Sequence, residues 1–215
     1  RELSDRAVGQ GVSVIFGFVL EEDGALYNAA ACLTADGQIY LYKKSHLNQE
    51  ELLWARPGDQ AGICVDLPHA RVGILLGDEA MIPEVPRLLA NYGCDILAIP
   101  AAQERLCAPC LGAQNRENPF FWHIARVRAN ENNVYAVFSS QVDGSGIFGP
   151  DMFLDPRYET ICAGEEMAAL EVDTDFILRD GQTRYSVNVA REKPMLSTRH
   201  TIWYDPLLEK TEVDV

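Results

Sequence analysis

RVGILLGDEAMIPEVPRLLANYGCDILAIP, residues 71–100, carries the clearest structural signals in this chain. It opens with a short apolar run, Val72–Leu76, which is typical of a strand buried on both faces. Apolar residues at helical spacing then lie between Pro83, which suits a first helical turn, and Gly93, which suits a helix end. A second apolar run spans Asp95–Ile99. The sequence therefore predicts a βαβ unit with parallel strands.

The turn between the first strand and the helix is a candidate functional position. Gly77 and Asp78 interrupt the apolar run there. The turn is expected at the carboxyl end of a strand, beside the first free N–H groups of a helix, and α/β folds place reactive or ligand-binding groups at this edge.

Length and composition restrict the possible classes of protein. The chain has 215 residues, 47% of them apolar, which is enough for one folded domain over residues 1–215. A formal net charge of −14 argues against binding nucleic acid or an anionic membrane through bulk charge. No run approaches the roughly 18 apolar residues of a membrane span, and no secretory signal is visible. We expect a soluble cytoplasmic protein.

Two of the six cysteines stand close together in the sequence. Cys107 and Cys110 make a CxxC motif. The two cysteines are a loop pair with no chemical role, a redox-active pair or half of a zinc site. No second CxxC or histidine pair completes a site, so the loop pair is favoured and no metal or cofactor is expected. The other four stand in apolar runs, where cysteine acts as a small hydrophobe: Cys32, Cys64, Cys94 and Cys162.

The remaining pattern predicts alternating strands, hairpins and a few helices. Further strands are expected at Val12–Leu20, Leu26–Thr34, Gln38–Tyr42, Ile63–Leu67, Val134–Ser140, Met152–Leu154, Thr160–Ala163 and Ala168–Val172. Helices are expected at Glu2–Gly9, Pro119–Asn132 and Thr174–Arg179, and a turn-rich link at Asp143–Gly149. Lys44–Asp59 is expected to be irregular or helical, and Gly181–Val215 irregular. Antiparallel hairpins combined with a βαβ unit indicate a layered α/β fold.

Several motifs then occur in a family-specific order. They are LYNAA at residues 26–30, YKKSHL at 42–47, Pro83-Glu84, DILAIPAA at 95–102 and RVRANEN at 126–132. Together they resemble the carbon–nitrogen hydrolase (nitrilase) superfamily over nearly the whole chain. The resemblance implies a four-layer αββα sandwich. It also implies that the family's first strand, helix and second strand, with the base glutamate, have no counterpart in this sequence.

The resemblance assigns roles to particular positions. Lys44 matches the catalytic lysine, Glu51 matches a second glutamate of the family, and Gly77 stands where the family has its nucleophilic cysteine. In the family a glutamate is the general base, the cysteine attacks a nitrile or amide carbon, and the lysine stabilises the developing charge. Gly77 supplies no nucleophile, so the resemblance implies impaired catalysis.

Other readings of this site stay open. Asp78 and Glu79 follow the vacant position and either replace the missing chemistry as carboxylates or cap the helix N-terminus. Cys107 or Cys110 is a further candidate for a substitute nucleophile. If the parent protein carries cysteine at position 77, the chain is an ordinary amidase-type hydrolase.

The resemblance leads to one main functional expectation and two alternatives. The main one is a non-catalytic homologue that binds a small amide, nitrile or carboxylate-type ligand or serves as an oligomerising module. The alternatives are an active amidase or carbamoylase with a relocated nucleophile and a structural subunit of a larger assembly. We expect a homodimer or larger homo-oligomer. The aromatic tail around Trp203 and Tyr204 either takes part in this association or is a strand end packed on the chain's own core.

Overall fold

The computed structural model describes residues 1–102, 120–141, 144–150, 159–162, 167–172, 174 and 201–208. The helices are α1 (Glu2–Gln10), α2 (Glu84–Asn91) and α3 (Phe120–Asn132), and 3₁₀ helices span Glu51–Leu53, Gly77–Met81 and Thr201–Leu208. The strands are β1 (Val14–Glu22), β2 (Ala25–Leu33), β3 (Ile39–Lys43), β4 (Ile63–Leu67), β5 (Ala70–Ile74), β6 (Ile96–Ala101), β7 (Tyr135–Ser140), β8 (Ser145–Phe148) and β9 (Glu159–Cys162).

The described strands form two sheets. The first has the order β1-β2-β3 and is antiparallel. The second has the order β4-β5-β6-β7-β8-β9. Its centre is parallel, because β6 pairs in parallel with both β5 and β7, and its outer pairs are antiparallel. Parallel neighbours need a crossover, and α2 and α3 supply the two crossovers.

Glycine and aspartate set the hairpins of the first sheet. The β1–β2 turn consists of Asp23 and Gly24, whose φ angles are 52° and 73°. Positive φ at both central residues is the requirement of a type I′ turn, which matches the twist of paired strands. Between β2 and β3, Gly37 has a φ of 87°, as the Asp36-Gly37 pair predicts.

Two apolar clusters hold the layers together. The first fills the space between the sheets and contains Ala30, Cys32, Tyr42, Val65, Val72, Ile74, Leu76 and Ala98. The second lies on the opposite face of the six-stranded sheet, where α2 and α3 cover it, and includes Val85, Leu89, Leu97, Ile99, Trp122, Ala125, Ala129, Phe138 and Phe148. Within the described residues, no helix is both long enough and apolar enough to cross a bilayer.

The layered α/β class and the βαβ unit are confirmed, with corrections at the boundaries. Strand β5 ends at Ile74, two residues before the predicted end, because the chain leaves the β4 ladder there. The segment predicted as a turn-rich link contains strand β8, which pairs with β7 and β9. The strand predicted at Ala168–Val172 is absent. Met152–Leu154 and all of Thr174–Arg179 except Thr174 lie outside the described residues.

Candidate functional site

The chain turns at Gly77, a residue that has no side chain. Leu76 is still extended, with φ −114° and ψ 121°, and its N–H group is buried. Gly77 then adopts a φ of 51° and starts the 3₁₀ helix Gly77–Met81. A left-handed backbone costs a residue with a Cβ about 1 kcal/mol or more, and glycine adopts it freely. This turn is therefore well suited to glycine.

Lys44 directly follows β3, and its side chain reaches the same turn. The N–H of Lys44 donates to the carbonyl of Asn28 at 2.8 Å, and its own carbonyl accepts from the N–H of Gly58 at 2.8 Å. A Cβ on Gly58 would lie 2.1 Å from the carbonyl oxygen of Lys43, so only glycine fits there. The Pro57-Gly58 pair thus closes the loop after β3 and fixes the lysine backbone.

The ammonium of Lys44 is enclosed by two carboxylates. Its Nζ lies 2.7 and 2.5 Å from the two carboxylate oxygens of Glu51 and also donates to Oδ1 of Asp78, the residue after Gly77. The side chains of Lys44, Glu51 and Asp78 are 2%, 11% and 21% exposed. One positive and two negative charges meet at this point, which leaves the cluster with a formal charge of −1.

Two asparagines orient the carboxylates. Asn28 donates from Nδ2 to Oε1 of Glu51 at 2.6 Å, and the backbone N–H of Asn48 donates to Oε2 of Glu51 at 2.9 Å. The side-chain amide of Asn48 also donates to Oδ2 of Asp78 at 3.0 Å. Glu51 therefore has two polar partners besides Lys44, and Asp78 has one.

Glu79 hydrogen-bonds to a different set of groups and organises the turn. Its carboxylate is fully buried and accepts from the hydroxyl of Tyr42 at 2.7 and 2.8 Å. It also accepts from the backbone N–H groups of Leu76, Ser45 and His46, at 2.9, 3.2 and 3.1 Å respectively. Burial, and then the adjacent Glu79 carboxylate, raise the pKa of the Tyr42 hydroxyl, so Tyr42 remains a neutral donor.

Helix α3 also holds this turn. Arg128 of α3 donates from Nε to the carbonyl of Ala80 at 2.7 Å and pairs with Glu131 at 2.5 Å. Asn132 donates to the carbonyl of Arg128 at 2.9 Å. Arg128 thereby links α3 to the 3₁₀ helix Gly77–Met81, which contacts both α3 and β6.

The cysteines with described surroundings are poor nucleophiles. Cys32 and Cys94 are buried and Cys64 is half-buried, and burial raises the pKa of all three thiols. A thiol with a raised pKa carries little thiolate at neutral pH. Cys107 and Cys110 lie outside the described residues. No group of three or more His, Cys, Asp or Glu side chains in the described part of the chain could hold a metal ion.

The structure brings together some of the predicted site residues and separates others. Lys44, Glu51 and Asp78 are in direct contact beside Gly77, and Glu79 forms a separate hydrogen-bond cluster with Tyr42. The roles of three further residues were not foreseen: Asn28, Tyr42 and Asn48. Asn28 and Tyr42 lie inside quoted motifs, LYNAA and YKKSHL, which was the available signal; nothing in the sequence pointed to Asn48.

A family model described as "Carbon-nitrogen hydrolase" matches residues 1–170 of this chain. The chain belongs to the carbon–nitrogen hydrolase family. A "Nitrilase" from Pyrococcus abyssi is 29% identical over 178 residues, which cover 80% of this carbon–nitrogen hydrolase homologue and 63% of the relative. An "(R)-stereoselective amidase" from Pseudomonas sp. is 29% identical over 149 residues, 67% of this chain and 50% of the relative. An "Omega-amidase" from Homo sapiens is 28% identical over 210 residues, 90% of this chain and 72% of the relative.

Solved structures of the family share the fold of this homologue. A carbon–nitrogen hydrolase from Helicobacter pylori G27 superposes with a TM-score of 0.77 at 20% identity, covering 97% of this chain and 74% of the other. An amidase from Nesterenkonia sp. gives a TM-score of 0.56 at 20% identity, covering 69% and 57%. The homologue spans less than two thirds of the Pyrococcus nitrilase and half of the Pseudomonas amidase.

Proposed function

We propose that this carbon–nitrogen hydrolase homologue has lost thiol catalysis and acts as a small-ligand-binding or oligomerising module. One observation carries the proposal. The turn that meets the Lys44 ammonium begins with Gly77, which has no side chain, and the ammonium contacts the very next residue, Asp78. Lys44 therefore keeps the position of the family's catalytic lysine, while Gly77, at the position of the nucleophilic cysteine, has no atom that can attack.

The chemistry of the remaining groups supports binding without covalent catalysis. Attack on an amide or nitrile carbon needs a nucleophile, a base to deprotonate it and a cation for the developing charge. Lys44 is such a cation, and the carboxylates of Glu51 and Asp78 are acceptors for N–H groups. These donors and acceptors suit a small amide, nitrile or carboxylate-type ligand.

A second candidate, an active hydrolase with a relocated nucleophile, is favoured by one specific contact. The hydroxyl of Ser45 lies 2.9 Å from Nδ1 of His46 and 3.2 Å from Oε1 of Glu79. A neutral imidazole at this distance could take the hydroxyl proton. We favour the non-catalytic proposal because Glu79 Oε1 also lies 3.3 Å from the same ring nitrogen, so that the serine and the carboxylate compete for it.

Release of ammonia decides between these candidates. We expect the protein to release no ammonia above buffer from simple amides, N-carbamoyl amino acids or nitriles, and Lys44→Ala to leave this background unchanged. Enzymes accelerate such reactions by about 10⁶-fold or more, so even a weak hydrolase would be visible. Ammonia release that disappears in Lys44→Ala would contradict the proposal, and release that disappears in Ser45→Ala would establish the second candidate.

The same protein samples also test the alternative that the protein is a structural subunit of a larger assembly. A binding titration with the N-carbamoyl amino acids, which carry a carboxylate, is expected to show saturable binding by the wild-type protein and none by Lys44→Ala. Exposed apolar side chains follow Glu51 directly, with Leu52, Leu53 and Trp54 exposed by 63%, 87% and 41%, and such groups favour association with another surface. A stable assembly on size-exclusion chromatography without any ligand binding would favour the structural role.

A further inference from the structure

We infer that Asp78 is a tethered internal ligand of Lys44, and that the external ligand of this site is a small monocarboxylate that must displace it. The inference rests on the proposed function and deepens it. It assigns a ligand class to the cluster and identifies the residue that keeps the cluster closed.

The donor count of the ammonium is the first support. An ammonium has three N–H donors. Three carboxylate oxygens already lie within hydrogen-bonding distance of Nζ of Lys44: both oxygens of Glu51 and Oδ1 of Asp78. With the three donors engaged and the side chain 2% exposed, an incoming ligand oxygen has no free donor to bind. A ligand therefore has to replace one of the two carboxylates.

Asp78 is the carboxylate that is easier to replace. Glu51 is held by Asn28 and by the backbone N–H of Asn48 in addition to the lysine. Asp78 has one such contact, with the side-chain amide of Asn48, and its side chain is about twice as exposed as that of Glu51, 21% against 11%. Asp78 also directly follows Gly77, and glycine tolerates a wider range of backbone φ than any other residue type.

The side chain that leaves indicates the chemistry of what binds. The side chain of Asp78 beyond its Cα is a carboxylate on one methylene group, which is the skeleton of acetate. With Asp78 in place the cluster has an excess negative charge, which disfavours an incoming anion. Without Asp78 the Lys44–Glu51 pair is formally neutral and Asn48 has a free amide donor. A carboxylate placed there regains an ammonium contact and an amide contact.

Acetate binding to Asp78→Ala tests this inference. We expect Asp78→Ala to bind ¹³C-labelled acetate, followed by NMR titration, about tenfold more tightly than the wild-type protein, because one charge-assisted hydrogen bond becomes available. Asp66→Ala is the matched control. Asp66 also pairs with a cation, Arg71, but is 76% exposed, so its removal should leave acetate affinity at the wild-type value. Equal acetate affinity in Asp78→Ala and wild type would overturn the inference.

A second variant keeps the test decisive if the alanine variant unfolds. Asp78→Asn has nearly the same shape and removes the negative charge, so it should bind acetate more tightly than wild type, by a smaller factor than a folded Asp78→Ala. Circular dichroism establishes which variants are folded, and unchanged affinity in folded Asp78→Asn would also overturn the inference. Ammonia release by the wild-type protein would refute the proposed function and leave the acetate result standing; absent acetate binding would refute only the inference.

Discussion

Glu79→Ala is expected to lower the free energy of unfolding by about 4 kcal/mol, as measured by urea denaturation followed by circular dichroism. The Glu79 carboxylate is fully buried and accepts from the Tyr42 hydroxyl and from three backbone N–H groups, those of Ser45, His46 and Leu76. Alanine leaves all four donors without this acceptor, and those of Tyr42 and Leu76 are buried. Each unsatisfied buried donor costs about 1–3 kcal/mol, partly offset where water enters.

Two variants separate this effect from a general loss of charge. Glu79→Gln keeps one acceptor oxygen and the side-chain volume, so it should cost about half as much as Glu79→Ala. Glu84→Ala removes an exposed glutamate from the first turn of α2 and should change stability by less than about 1 kcal/mol. A loss below 1 kcal/mol for Glu79→Ala would contradict the role of this carboxylate as the organiser of the turn.

Lys44→Met is expected to cost about 3 kcal/mol of unfolding free energy by the same measurement. The substitution keeps a long apolar side chain and removes the ammonium, so the carboxylates of Glu51 and Asp78 face each other without a cation. Breaking a buried ion pair from one side typically costs about 3–5 kcal/mol. The lower end applies because Asp78 is 21% exposed and can be partly hydrated.

The neighbouring lysine provides a matched control. Lys43 pairs with Glu22, but the two side chains are 27% and 48% exposed, so Lys43→Met should cost less than about 1 kcal/mol. Adding Glu51→Gln to Lys44→Met should recover part of the lost stability, because it removes one of the two opposed charges. Equal costs for Lys43→Met and Lys44→Met would show that Lys44 is an ordinary surface lysine.

Local sequence signals were sufficient for most of the fold. Alternating apolar runs and the Asp-Gly and Gly positions fixed the hairpins and the βαβ unit, because each depends on a few adjacent residues. Strand β8 was missed since its surroundings, DGSGIFG at residues 143–149, have the composition of a turn. The strand forms because β7 and β9 pair with it on both sides. This pairing depends on residues distant in sequence, so the local composition does not predict it.

The candidate site was only partly accessible from sequence. The motif around Lys44 and the position of Gly77 indicated one place, but the spacing could not show which of the two adjacent acids would reach the ammonium. The left-handed backbone at Gly77 decides this by sending Asp78 to Lys44 and Glu79 to Tyr42. The support from Asn28 to Glu51 joins residues 23 positions apart, which the order of residues alone does not reveal.

Intact-mass spectrometry after acid quenching tests most directly the claim that this site has no attacking group. The protein is incubated with an excess of a small amide or nitrile and quenched within seconds, and its intact mass is measured. The Lys44→Ala variant is treated in the same way. We predict an unchanged mass for both proteins at every time point, because Gly77 offers no atom to acylate. An acyl or imidate adduct on the wild-type protein that Lys44→Ala fails to form would contradict the claim and show that a nucleophile acts at this turn.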